Sequence, residues 1–194
     1  MISHFYLIRH GETAWSKSGQ HTGRSEIPLT EAGEAEARTL PSRLAGVTFT
    51  HVFTSPRLRA RRTCELAGLS SVAQVEEDLA EWDYGRYEGR TIDQVKAIDP
   101  GWDIYRDGCP DGESPSAVSM RADRLITKLR SLDGTVALFS HGHFGRVLSV
   151  RWIGLPVPYA GRFAIGTASI GVLSFDRAKP DSGRIVSWNL CNSD

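Results

Sequence analysis

The chain has 194 residues, 40% of them hydrophobic and 24% charged, and its 23 Lys+Arg balance 23 Asp+Glu to a formal net charge of zero. These values are those of an ordinary soluble globular domain, and a chain of this length buries roughly 70% of its unfolded surface. They exclude a disordered tail, a collagen-like or low-complexity chain, a nucleic-acid coat (which needs a basic excess to release counterions) and a membrane span (which needs ~20 apolar residues in a run).

Phe5 to Ile8 is the first predicted strand, followed by a polar loop from Thr13 to Pro28. Thr30 can cap a helix through Ala37 and Leu44, kinked at Pro41. His51 to Thr54 is a second strand, after which Ser55 and Pro56 supply an N-cap and a first helical position for an Arg-rich helix. Val72 to Val75 is a short third strand. Thr91 with Gln94 makes a capping box for a helix ending before Pro100, and Ser114-Pro115 opens another, with Val118, Ala122, Leu125, Ile126 and Leu129 at helical spacing. Val136 to Phe139 is a buried strand, His143 to Ile153 a helix, and Ile170 to Phe175 and Ile185 to Leu190 are closing strands. Short apolar runs alternating with helical patterns indicate an α/β layer fold. No linker, repeat or charge block interrupts the chain, so residues 1–194 read as one domain.

The N-terminal apolar stretch is too short and too polar for a signal segment. Cys64, Cys109 and Cys191 are an odd number, far apart, which argues against a disulfide framework or a zinc site and for a cytoplasmic protein. Of the basic residues 19 are Arg and 4 are Lys. Codon bias explains most of such an excess, although the planar Arg fork suits carboxylates and phosphates.

In open α/β sheets ligands sit beyond the carboxyl ends of the strands. Past the first predicted strand come Arg9-His10-Gly11-Glu12-Thr13, and past the second Ser55 with Arg57, Arg59, Arg61 and Arg62. Past the third come Glu81-Trp82-Asp83-Tyr84-Gly85, and past the fourth Ser140-His141-Gly142-His143. Separate strand ends thus bring histidines, arginines and carboxylates to one crevice. Arginines and an imidazole can neutralise a dianion, each contact near 4 Å contributing about 4 kcal/mol at an effective dielectric near 20. A neutral imidazole can attack phosphorus, and a nearby carboxylic acid can protonate the leaving alkoxide and later activate water.

Each residue also has a plainer reading. His10 and His141 could be satisfied structural histidines, the arginine run a solvated helix face, and Glu81 a surface acid. His141-x-His143 invites a metal, yet a closed or catalytic site needs further ligands and no matching cluster accompanies it. We therefore expect neither metal nor cofactor.

The stretch Leu7-Ile8-Arg9-His10-Gly11-Glu12-Thr13 resembles the signature of the histidine phosphatase (phosphoglycerate mutase-like) superfamily. The resemblance continues through Gly19 to Arg24, Pro28 to Gly33, Thr54 to Ala60, Glu81 to Gly89 and Ser140-His141-Gly142, in the family's order. It implies a three-layer α/β/α domain with a mostly parallel sheet. It further implies His10 as the phosphorylated nucleophile, Arg9 and Arg59 as phosphate clamps, His141 as a second pocket histidine and Glu81 as proton donor, with Asp83 in reserve. Spacing alone does not choose Arg59 among the four arginines. Ser16 falls where many mutases carry a phosphate-binding Asn, and Thr22, Gly23, Arg24, Tyr84, Gly142 and His143 would line the substrate side.

Within the family, cofactor-dependent mutases carry a long insertion after the proton-donor motif and usually Asn after His-Gly. Here Gly89 to Ser114 is short and His143 takes that place. Glu81 to Gly85, Gly108 to Ser114 and Ser140 to Phe144 are most similar to small acid phosphatases and to sedoheptulose-1,7-bisphosphatases. The expected activity is a metal-independent phosphomonoesterase. Phosphoglycerate mutase is the alternative, and a non-catalytic phospho-ligand module a third reading. The expected partner is a small phosphorylated metabolite (phosphoglycerate, sugar phosphate or bisphosphate), with no nucleic acid or membrane and a possible homo-oligomer. Arg24, Arg86, Arg90 and Arg106 could hold a second anionic group or be solvated.

Overall fold

A computed structural model describes residues 2–176 and 178–191. The strands are β1 (Ile2–Arg9), β2 (His51–Thr54), β3 (Ala73–Val75), β4 (Thr135–Ser140), β5 (Ile170–Asp176) and β6 (Lys179–Leu190). They form one sheet in the order β3-β2-β4-β1-β5-β6. The pairs from β3 to β1 are parallel, whereas β1–β5 and β5–β6 are antiparallel, so β5 alone runs against the others.

The helices are α1 (Ala14–Ser18), α2 (Glu31–Arg38), α3 (Leu40–Arg43), α4 (Leu58–Leu66), α5 (Ile92–Lys96), α6 (Ile104–Asp107), α7 (Pro115–Arg130) and α8 (Gly142–Trp152). The period of two along each strand sorts side chains to opposite faces. Phe5, Leu7, Val136, Leu138, Leu173 and Phe175 pack toward α6, α7 and α8. Ile8, Val52, Ala137, Phe139, Ile170 and Val172 pack toward α2, α3 and α4. The result is a three-layer α/β/α domain. Among the described residues no helix is long and apolar enough to cross a membrane.

Local signals place several boundaries. Thr91 and Gln94 form the capping box of α5, and Ser114 caps α7 with Pro115 in its first turn. The five apolar positions expected on α7 are its buried ones. Elsewhere the structure differs from the expectation. The helix from Thr30 is two helices, broken at Thr39, because Pro41 has no N–H to continue the ladder and sits instead in the first turn of α3. Ser55 and Pro56 do not start α4. The Ser55 N–H is still tied to the Phe139 carbonyl at 2.9 Å as an extension of β2, so the chain turns only afterwards, with Arg57 as N-cap. The loop after Thr13 contains α1, closed by a Thr13–Ser16 capping box. Val72 belongs to a 3-10 turn ahead of β3, β6 begins at Lys179, and α6 adds a turn capped by Asp103.

Candidate active site

The end of β1 is pinned on both sides. Arg9 N–H donates to Ser169 O at 3.1 Å, and His10 N–H donates to Ser140 O at 3.0 Å on β4. Gly11 then lies flat on α2, where a Cβ would run into the Gly33 carbonyl oxygen. Its N–H donates to Thr63 Oγ1 at 3.1 Å. His10 Nδ1 lies 2.8 Å from the Gly11 carbonyl. A carbonyl can only accept, so Nδ1 carries the proton and Nε2 keeps its lone pair. Burial, then the charges of Arg59 and Arg9, hold the ring well below the usual histidine range, so it is neutral.

Arg59, on the first turn of α4, is fully buried. It donates to the carbonyls of Ser25 (3.0 Å), Thr22 (2.7 Å) and Gly23 (3.2 Å). Arg9 donates to Ile165 O at 2.7 Å. His141 follows β4 and lies 5.2 Å from His10, ring centre to ring centre, with Nε2 2.7 Å from Ser55 Oγ. Burial and then the Arg59 charge keep it neutral as well. Arg9 Nε, Arg59 Nε and His141 Nδ1 are buried and have no hydrogen-bond partner among the described residues. Two buried guanidiniums without carboxylate partners are costly unless an anion completes the group.

Glu81 enters from the segment after β3. Its Oε1 accepts from Phe144 N (2.7 Å) and Trp82 N (2.9 Å), and its Oε2 accepts from His143 N (3.0 Å). The carboxyl therefore caps α8, whose own N-cap residue, His141, makes no side-chain cap bond. Helix α8 starts at Gly142, one residue before the expected position.

A cavity of about 260 Å³ opens beside these groups, walled by Arg9, His10, Glu81, Tyr84, His143 and Arg146, while Arg59 and His141 are fully buried and not part of its lining. Tyr84 Oη and His143 Nδ1 are 2.7 Å apart. Burial, with Glu81 nearby, pushes the Tyr84 phenol well above its usual range, and burial and then Arg146 hold the His143 ring well below its own, so the bond joins two neutral groups. Ser16, Thr22 and Gly142 also face the cavity. Ser16 Oγ is engaged in the α1 cap with both Thr13 N and Thr13 O.

Gly23 stands behind the wall, its N–H donating to the Glu88 carboxylate at 2.9 Å. Arg24 is turned outward onto Asp83 at 2.7 Å, in a surface depression with Arg86, Glu88 and Asp111. Arg86 and Arg106 pair with Asp111 and Asp107. Sequence reasoning left out five lining residues, Gly19, Gln20, His21, Ile92 and Arg146, of which His21 and Arg146 carry titratable side chains. Arg146 follows His143 by three residues on α8, a spacing that places both on one face. His21 stacks on Tyr84 at 4.7 Å, and its position inside the Gly19–Arg24 stretch was the available signal.

The fold and this site define a class, which comparison with known proteins specifies. The family model described as histidine phosphatase superfamily (branch 1) matches residues 5–190. An acid phosphatase of Mycobacterium tuberculosis is 44% identical over 174 residues, covering 88% of this chain and 85% of that protein. The sedoheptulose 1,7-bisphosphatase of Saccharomyces cerevisiae is 37% identical over 183 residues, covering 78% and 68%. A solved open-reading-frame product of Mycobacterium tuberculosis superposes with a TM-score of 0.90 at 40% identity, covering 97% of this chain and 98% of that one. The chain belongs to the histidine phosphatase superfamily. It is an enzyme, a phosphatase of that family.

Proposed function

We propose that this phosphatase hydrolyses small phosphorylated metabolites without a metal, through a phosphohistidine on His10. One observation carries the reading: His10 is neutral, its Nδ1 proton is tied to the Gly11 carbonyl, and its Nε2 lone pair is free beside two arginines. In the first step Nε2 attacks phosphorus as the bond to the leaving oxygen breaks. Arg9, Arg59 and the His141 Nδ1–H stabilise the phosphoryl oxygens. Glu81 protonates the leaving alkoxide. Its Oε1 is engaged by two N–H groups and its Oε2 by one, so Oε2 retains a position for that proton. In the second step water attacks phosphorus and gives its proton to the Glu81 carboxylate. The P–N bond breaks, its electron pair returns to Nε2, and phosphate leaves.

Metal independence belongs to the same reading, in which guanidinium and imidazole N–H groups rather than a cation meet the phosphoryl oxygens. Hydrolysis over phosphoryl exchange is supported by the segment after Gly89, where Trp102, Ile104 and Tyr105 pack into the core. Three free cysteines fit a cytoplasmic site of action. Arg146 supports a substrate with a second anionic group, as in a sugar bisphosphate or phosphoglycerate. It faces the cavity, its Nε is buried without a partner, and Nη1 reaches only the Tyr105 hydroxyl at 3.3 Å.

The test is phosphate release from aryl phosphate, 3-phosphoglycerate, and sugar mono- and bisphosphates with EDTA present, beside acid-quenched labelling of the protein. Release that survives EDTA, with an acid-labile phosphoenzyme absent from His10→Ala, is the expected result. Activity retained in His10→Ala would sink the mechanism. Isomerisation of 3-phosphoglycerate with little release would make the enzyme a mutase instead.

A further inference from the structure

The mechanism leaves unexplained the loop from Gly108 to Ser114 and the helix that follows it. Arg121, on α7, is 12% exposed and uses all five of its N–H groups. Nε and Nη2 grip both oxygens of Glu113, at 2.9 and 2.7 Å. Nη1 donates to the carbonyls of Asp78 (2.9 Å) and Ala80 (2.7 Å), and Nη2 reaches the carbonyl of Glu81 itself (3.4 Å). The guanidinium also lies over the ring of Phe144, 4.2 Å from its centre, and Phe144 N–H is a donor to the Glu81 carboxyl.

Glu113 holds the other side of the same segment. Its Oε2 accepts from Asp83 N at 3.0 Å, its N–H donates to Asp83 O at 2.9 Å, and its carbonyl accepts from Trp82 Nε1 at 3.0 Å. Residues 78–83 belong to no strand of the sheet. One bidentate ion pair thus grips the backbone that presents Glu81 before and after the acid, beside the buried side chains of Leu79 and Trp82 and the Ser140 hydroxyl on the Leu79 carbonyl.

We infer that Arg121 and Glu113 are positioning residues for the proton donor: together they set where the Glu81 carboxyl stands relative to the leaving oxygen. The inference rests on the reading of Glu81 as proton donor. Lysine cannot replace Arg121, because one ammonium has three donors and no planar fork to span two carbonyls and a carboxylate. A proton donor displaced by a fraction of an ångström loses most of its effect, while a leaving group that needs no proton is indifferent to it.

Leaving-group dependence reads this out. Arg121→Lys, Glu113→Gln and Glu81→Gln are compared with the parent on 4-nitrophenyl phosphate, which leaves as a stable phenolate, and on glycerol phosphate, which leaves as an alkoxide. The expectation for Arg121→Lys is a kcat loss of roughly tenfold or more on glycerol phosphate and under about threefold on the aryl ester, KM changing little on either, in the direction of Glu81→Gln. Glu113→Gln should show the same selectivity more weakly, and it decides the matter if Arg121→Lys does not fold. Equal loss on both substrates, or none, while Glu81→Gln remains selective, overturns the positioning role alone. A Glu81→Gln enzyme without leaving-group selectivity overturns the proton-donor reading, and the inference with it.

Discussion

Ser55 Oγ stands 2.7 Å from His141 Nε2, joining the residue after β2 to the residue after β4. The same oxygen accepts the Arg57 N–H at 3.2 Å. In the arrangement that serves both histidine nitrogens, the hydroxyl hydrogen goes to Nε2 and the ring proton to Nδ1, the nitrogen with no protein partner. In that arrangement the His141 ring would present a donor toward an anion.

Ser55→Ala should release that tautomer. We expect inorganic phosphate to inhibit about fivefold to tenfold more weakly, corresponding to about 1 kcal/mol for one lost hydrogen bond, with the His10 phosphoenzyme still formed. Inhibition constants unchanged from the parent would show that the hydroxyl does not set the His141 proton.

Arg146 gives a prediction about selectivity. In Arg146→Met the kcat/KM for a sugar bisphosphate should fall roughly tenfold to a hundredfold, the worth of about 1.5–3 kcal/mol for hydrogen bonds between charged groups. The value for an aryl phosphate should stay within about twofold, since that ester offers the arginine nothing. A uniform loss across the panel would assign Arg146 to general stability.

Acid should weaken the fold before it silences the chemistry. Burial holds His10, His21, His141 and His143 below their usual range, so in the folded state they take up protons only at lower pH than in the unfolded chain. Their contribution to stability is full above the unfolded value, near ~6.5, and is lost as pH falls below it, by up to about 1.4 kcal/mol per pH unit for each histidine. Melting temperatures should therefore drop from pH 7 to pH 5. Burial, then Arg59 and Arg9, hold His10 below the usual histidine range, so kcat/KM at low temperature should persist to lower pH than a free imidazole would allow. A melting temperature flat across this range would contradict the buried neutral state.

Gly11→Ala places a methyl group against the Gly33 carbonyl, which is backbone and cannot swing aside. The loop carrying His10 must lift off α2. We expect turnover to fall at least about tenfold, because sub-ångström displacement of a nucleophile is enough to lose that factor. A fully active variant would show that the close approach is incidental to catalysis.

What the sequence made legible was local. Thr91 with Gln94, and Ser114 with Pro115, mark their helices because the capping partners are within four residues. The Pro41 kink was legible and is a full break at Thr39, whereas the late start of α4 was missed because it depends on the distant Phe139 carbonyl that holds the Ser55 N–H. Arg59 could not be singled out from Arg57, Arg61 and Arg62 by spacing, since it is chosen by carbonyls of residues 22–25. Arg57 and Arg62 instead find Glu26 and Glu34 on other segments. Glu81 and Asp83 are equally acidic on paper. They part company because Glu81 meets N–H groups of α8 more than 60 positions away, while Asp83 meets Arg24. Arg146 and His21 were hidden for the same reason: the cavity they line is assembled from distant loops.

Helix α8 is bracketed by two groups at its first turn, His141 as the preceding residue and Glu81 as the external cap. The acid and the anion-facing imidazole thus share one rigid mount. The rim formed by residues 16–24 and 92–106 is tied to this mount and to Arg59, the Tyr105 hydroxyl meeting Arg146 of α8 and the Thr22 and Gly23 carbonyls holding the Arg59 guanidinium, so recutting it for a different metabolite must keep those contacts.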